Sequence, residues 1–130
     1  MKLQRVLRAT ASIAKEKAIA PYSGFKVGAA AGGFEIRQSH RPIVITSGAN
    51  IEVAASASGI CAERVAISAL LMQGIKPSFV CIDAGQYEIT PCGLCLQFMQ
   101  EWEPRIITPT DHFPFRDFLP KPYRGRRPKL

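Results

Sequence analysis

The chain has 130 residues, enough to bury the core of one ordinary domain and too few for two. With 47% hydrophobic and 21% charged residues and no low-complexity stretch, the composition excludes a disordered or fibrous protein. A net charge of +7 suggests an anionic partner only if it covers the domain, and it does not. Residues 116–130 hold six basic groups (Arg116, Lys121, Arg124, Arg126, Arg127, Lys129) against Asp117, so the remainder is nearly neutral.

Leu3, Val6, Leu7, Thr10, Ile13, Ala14 and Ala18 recur at helical spacing, with the charged residues mostly off that stripe. This predicts an amphipathic helix over 3–19, stopped by Pro21. Its first fifteen residues carry four basic groups and no acid, a bias shared with organelle presequences. Nothing there resembles a secretory signal. Lys26–Ala31, ended by Gly32-Gly33, and the β-branched Ile43–Thr46 between Pro42 and Gly48 predict two strands. Gly48–Gly59, rich in Ala, Ser and Gly, reads as a loop. From Cys61 the pattern Val65, Ile67, Leu70, Leu71 predicts a buried helix ending near Gly74, and Phe79–Asp83 a strand. Pro91 is expected to open another helix through about Trp102, with a strand at Arg105–Thr108 and a strand or short helix within Asp111–Leu119. The rhythm predicts an α/β fold, a three-layer α/β/α sandwich with a central mixed sheet of about five strands flanked by helices.

Four cysteines (Cys61, Cys81, Cys92, Cys95) are too few and too clustered for a disulfide framework, which favours a reducing, cytoplasmic setting. The longest apolar run, Val65–Met72, falls far short of the roughly 20 residues that span a bilayer, so no membrane association is expected.

Three cysteines sit where helices should begin: Cys61 at one, Cys92 and Cys95 at the other. Unpaired amides and the dipole at a helix N-terminus favour the thiolate, the form that binds metal. Two such ends meeting at a sheet edge supply three thiolates for zinc and leave its fourth tetrahedral position open, as a catalytic site requires. Glu63, in the first helical turn, lies within reach of that open face as a proton shuttle without being a ligand. Cys61-Ala62-Glu63 followed by Pro91-Cys92-Gly93-Leu94-Cys95 matches the zinc deaminase signature of one ligand, a Glu two residues on and a later Pro-Cys-x-x-Cys. Two plainer readings compete. One is a closed zinc knuckle completed by Cys81, His40 or His112; the other is a redox pair at Cys92 and Cys95. Cys81 lies in an apolar strand pattern where a free thiol packs as a small hydrophobe.

With these motifs, the chain resembles the cytidine deaminase family of small enzymes that act on free nucleosides. The likeness includes Pro21-Tyr22-Ser23-Gly24-Phe25, Val27-Gly28-Ala29-Ala30 and Gly48-Ala49-Asn50-Ile51-Glu52, and runs to about residue 123. It implies a catalytic domain over 1–123 with a basic tail over 124–130. It further implies one zinc per subunit and hydrolytic deamination of cytidine or deoxycytidine to the uridine form with release of ammonia. By the same resemblance Phe25 packs on the pyrimidine, Asn50 and Glu52 bind the ribose, the Ala62 amide holds the 2-oxo group and the Thr90 carbonyl receives the amine. Zinc with three thiolates carries a formal charge of −1, a handicap for activating water that the Arg64 guanidinium would offset. Gln97 is retained beside the zinc helix, and Tyr123 stands where tetrameric relatives place an aromatic in a neighbour's pocket. A homotetramer is therefore expected.

The chain departs from the family pattern at Val53, Ser56 and Leu96, where Asn, Tyr and Arg are usual. The altered rim raises a modified cytosine nucleoside, N4-substituted or blasticidin-like, as an alternative substrate. A polynucleotide deaminase would use the basic tail against phosphates, but the chain offers no aromatic platform for a strand, so nucleic acid is disfavoured. A noncatalytic zinc-stabilised binding protein would need a fourth protein ligand.

Overall fold

The computed structural model describes residues 2–35 and 40–124. Of the basic tail expected over 124–130 only Arg124 falls within them; Arg126, Arg127 and Lys129 lie outside the described residues. Helix α1 (Lys2–Lys15) buries Leu7 and Ala14 of the expected stripe together with Ala11, which lay outside it, while Val6 and Ile13 of that stripe are exposed: the buried line is the narrower i, i+4, i+7 set. The helix stops before the expected end at 19. Residues 16–18 continue only as a turn, because Ile19 is drawn away to pair with the segment at Ile51.

The sheet has five strands in the order β2-β1-β3-β4-β5. They are β1 (Gly28–Phe34), β2 (Ile43–Ala49), β3 (Phe79–Asp83), β4 (Arg105–Ile107) and β5 (His112–Phe113). β1 pairs antiparallel with both β2 and β3, β3 and β4 run parallel, and β5 closes the edge antiparallel to β4. The sheet is thus mixed, as expected. Strand β1 continues through Gly32-Gly33, which had marked its end in the sequence. A Cβ at Gly33 would stand 2.2 Å from the Lys76 carbonyl oxygen, so this glycine serves a close backbone crossing within the ladder. Strand β2 likewise runs three residues past Thr46 into what had read as a loop.

Alternation along the buried strands divides the core between two faces. Ala30, Cys81 and Ile107 face Leu7 and Ala11 of α1. Ala29, Ala31, Val80, Ile82 and Ile106 face the other way, against α2 (Ala62–Met72) and α3 (Gly93–Met99). Helices therefore cover both faces of a central sheet, which gives the expected three layers. Cys81 is fully buried in this core, and burial pushes its thiol up to about 11, the state of an inert packing group. Helix α3 ends before Trp102, where the chain turns at Glu103 with φ +46°. Within 111–119 both expected alternatives occur: β5 is followed by a short 3-10 helix at Phe115–Asp117.

Candidate metal centre and active site

The metal centre is built by the two helices on the larger core face. Cys61 is the N-cap of α2 and Cys92 the N-cap of α3, with Cys95 in the first turn of α3. Pro91 precedes the cap instead of occupying the first helical position, so it sets the entry of the chain while the cysteine itself begins the helix. Helix α2 is held by β2: Thr46 Oγ1 donates to the Ala66 carbonyl at 2.7 Å. Gly48 lies under the same turn. A Cβ there would meet the Ala66 nitrogen at 2.6 Å and the Ala62 oxygen at 2.8 Å. Only glycine lets β2 approach so closely, and that approach fixes where Cys61 and Glu63 point.

The Sγ atoms of Cys61, Cys92 and Cys95 lie within 4.8 Å of one another, and Cys61 and Cys92 are 3.8 Å apart. A tetrahedral zinc with Zn–S bonds near 2.3 Å separates its sulfurs by about 3.8 Å, so the triad fits the ion. No further His, Cys or carboxylate joins the group among the described residues, and Cys81 lies in the core, so the closed-knuckle reading lacks its fourth ligand.

Electrostatics favour ligation. The hydrogen bond from Cys95 holds the Cys61 thiol below its ordinary value, with help from Arg64 and Cys92, while the same bond and burial push Cys95 up. Of this pair, Cys61 is the thiol that ionises first. Arg64 Nη2 lies 3.8 Å from Cys61 Sγ, and its Nε is buried with no hydrogen-bond partner among the described residues. A guanidinium facing thiolates in this way offsets the negative charge they accumulate. Glu63 is 5% exposed, and burial raises its carboxyl above the usual carboxylate value, with the Cys61 charge acting in the same direction. A carboxyl so placed exchanges protons nearer neutrality than a solvated one.

A cavity of about 500 Å³ opens beside the thiols, lined on one side by Asn50, Glu52 and Val53 and on the other by Cys61, Arg64 and Cys92. Phe25, Ala62, Glu63, Thr90 and Cys95 are not on its wall. Phe25 is exposed and its ring meets that of Tyr87 at 5.5 Å. Ala62 is the buried first residue of α2, and Thr90 is exposed two residues before Cys92. Asn50 is bonded across the chain: its Oδ1 accepts from the Val27 nitrogen and its Nδ2 donates to the Phe25 carbonyl. The Glu52 carboxylate accepts from the Tyr22 nitrogen and from both the nitrogen and hydroxyl of Ser23. Gln97 grips the backbone of Tyr123 in both directions, at 2.7 and 2.9 Å, and leaves the Tyr123 ring exposed.

Ser23, Tyr87 and Gly48 had received no role in the sequence. Ser23 lay within a recognised motif, so a signal was present. Tyr87 had none, because its partnership with Phe25 spans sixty-two positions of sequence.

A five-stranded mixed sheet between helices, with three thiols and a buried glutamate at two helix starts, defines a hydrolytic deaminase of the zinc-dependent α/β class. Residues 1–108 match the family model described as the cytidine and deoxycytidylate deaminase zinc-binding region, and the chain belongs to that family. Its structure is similar to that of cytidine deaminase from Mycobacterium tuberculosis, with 29% identity and a TM-score of 0.78, covering 92% of this chain and 96% of that one. It is similar as well to cytidine deaminase from Burkholderia pseudomallei, with 30% identity, a TM-score of 0.77 and coverage of 92% and 98%. For cytidine deaminase from Mycobacterium leprae the values are 29%, 0.71, 90% and 97%.

Proposed function

We propose that this chain is a zinc-dependent cytidine deaminase that hydrolyses cytidine or deoxycytidine to uridine or deoxyuridine and ammonia. The observation that carries this reading is the buried Glu63 carboxyl beside a three-thiol group of zinc dimensions.

Cys61, Cys92 and Cys95 hold the ion. Zinc, when bound, supplies a Lewis acid that lowers the pKa of water from 15.7 toward about 7. Glu63 takes one proton from the attacking water and delivers it to N3 of the cytosine, then takes the remaining proton from the new C4 hydroxyl and delivers it to the amine, which leaves as ammonia as the C4–N bond breaks and the C4 carbonyl forms. Its raised proton affinity suits both duties. Arg64 neutralises part of the charge on the thiolates. Phe25 packs on the pyrimidine, the Ala62 N–H donates to the 2-oxo group, and the Thr90 carbonyl accepts from the leaving amine. Asn50 and Glu52 take the sugar hydroxyls with what their protein bonds leave over. Asn50 retains one N–H and one lone pair. Glu52, with three bonds accepted, retains one acceptor site on Oε2.

A free nucleoside is favoured over a polynucleotide because the cavity is of single-ligand size and, among the described residues, its wall carries no cation besides Arg64. The place of this reaction is pyrimidine salvage. The assembly is a homotetramer, supported by the exposed Val53, Ile60, Leu94 and Tyr123. The compartment is the cytoplasm, supported by cysteine usage: three thiols form the zinc group, which a reducing environment preserves, and Cys81 is a buried free thiol. No helix among the described residues is long and apolar enough to cross a membrane.

The test is ammonia release by the zinc-loaded protein from cytidine, deoxycytidine and a cytosine-containing oligonucleotide. Turnover of both nucleosides with none of the oligonucleotide is expected. Turnover of the oligonucleotide alone, falling steeply with salt, contradicts the reading.

A further inference from the structure

The segment from Tyr22 to Val27 has no regular structure, yet its polar backbone groups around Phe25 are accounted for by three side chains. The Ser23 hydroxyl donates its single hydrogen to Glu52 Oε2 and accepts the Phe25 N–H at 3.0 Å. Gly24, between them, is in the left-handed region at φ +70°, which folds the chain back over the hydroxyl. On the far side, Asn50 holds the Phe25 carbonyl at 2.9 Å and the Val27 N–H at 2.9 Å. Phe25 is therefore fixed at its nitrogen through Ser23 and at its oxygen by Asn50, with its ring against Tyr87.

We propose that Ser23 is a positioning residue that transmits the placement of the Glu52 carboxylate to Phe25, making the sugar contact and the base contact one mechanical unit. The proposal rests on the reading of Glu52 and Phe25 as substrate contacts. The physical basis is directional. A hydroxyl has one hydrogen, and once Glu52 takes it the lone pairs of Oγ are aimed away from the carboxylate, where the Phe25 N–H finds them. Bonds to an ionised acceptor are stronger than neutral ones, so the carboxylate and not the Phe25 amide sets the rotamer of Ser23. Tyr22 and Ser23 still anchor the loop to Glu52 through their backbone nitrogens when the hydroxyl is removed. The loop then stays in place while Phe25 loses its amide acceptor.

The experiment compares Ser23→Ala, Ser23→Thr, Phe25→Leu and the Ser23→Ala/Phe25→Leu pair in the zinc-loaded protein, each checked for zinc content and melting temperature. Loss of one hydrogen bond of this kind corresponds to a factor of about ten. The KM for cytidine and the Kd for uridine should rise about tenfold in Ser23→Ala with kcat within twofold, and Ser23→Thr should restore both. In the Phe25→Leu background, Ser23→Ala should add little. Equal effects in both backgrounds, or an unchanged KM, overturn the proposal. Amide hydrogen exchange supplies a readout independent of turnover: Glu52→Ala should accelerate exchange at Phe25, which Glu52 does not touch, and leave Gly24, whose N–H is held by the Ala20 carbonyl, protected. Equal acceleration at Gly24 and Phe25 means that the loop as a whole has come loose, and overturns the coupling. An unaltered Phe25 amide in Glu52→Ala overturns the coupling even where the protein turns over cytidine. Accelerated exchange without any cytidine turnover or uridine binding upholds the coupling and removes the substrate reading instead.

Discussion

Replacing Gly48 by Ala tests whether the approach of β2 to α2 positions the metal ligands. The added Cβ would lie 2.6 Å from the Ala66 nitrogen, 2.8 Å from the Ala62 oxygen and 2.8 Å from the Val65 Cβ. Two of these neighbours are backbone, so no side chain can turn aside. Restoring ordinary contact requires the first turns of α2 to retreat by roughly 0.8 Å, against the tolerance of about 0.2 Å that metal–ligand distances allow. Cys61 rides on that turn and Cys92 does not, so the Cys61–Cys92 separation of 3.8 Å should be disturbed. Overpacking of this kind costs about 1–3 kcal/mol, a loss of roughly 3–15 °C in Tm for a domain of this size. Competition with a chromophoric chelator reads zinc affinity and scanning calorimetry reads Tm. Gly93→Ala is the control, because its Cβ meets nothing within 4 Å although it sits next to Cys92. Wild-type zinc affinity and Tm in Gly48→Ala would refute the reasoning; equal losses in both variants would show that any change near the thiols has the same effect.

Removing the guanidinium in Arg64→Ala leaves the thiolate charge uncompensated, so the rising limb of the pH–rate profile should move to higher pH, measured as kcat/KM against pH. Cys92→Ala should abolish zinc binding by elemental analysis, whereas Cys81→Ala, in the core and away from the triad, should retain one zinc per chain at some cost in Tm. Glu52 is held below 4.5, first by the Ser23 hydroxyl and then by the Ser23 backbone. Its contribution to the loop at 22–25 is fully present above the unfolded value and is lost as pH falls through the lower folded value. Exchange at the Tyr22 and Ser23 amides, corrected for intrinsic rates, should therefore stay protected on acidification to 4.5 and lose protection only below it.

The metal site was legible in the chain because its ligands lie in short, ordered motifs: each cysteine falls at a helix start, and Glu63 follows Cys61 by a fixed two residues. The layered fold was legible for a similar reason, since α2 and β3 are set by local apolar patterns. What escaped was set by contacts distant in sequence. The glycines at 32, 33 and 48 read as punctuation, yet two of them, Gly33 and Gly48, are strand residues chosen by a carbonyl or a helix turn passing close. The end of α1 depended on Ile19 pairing with a segment thirty-two residues later. Asn50 and Glu52 were visible as polar residues in a motif. Their bonds to Phe25, Val27, Tyr22 and Ser23 were not, because nothing in the local pattern distinguishes a side chain that holds a loop from one that holds a ligand.

The proposed function stands or falls with Glu63 as the proton carrier beside the three-thiol zinc site. Ammonia release from cytidine, measured in parallel with bound zinc for wild type and Glu63→Ala, tests it most directly. One zinc per chain is expected in both proteins, with a fall in kcat of at least about 10²–10⁴ in the variant, the range general acid–base catalysis supplies. A zinc-loaded Glu63→Ala protein with wild-type turnover would contradict it.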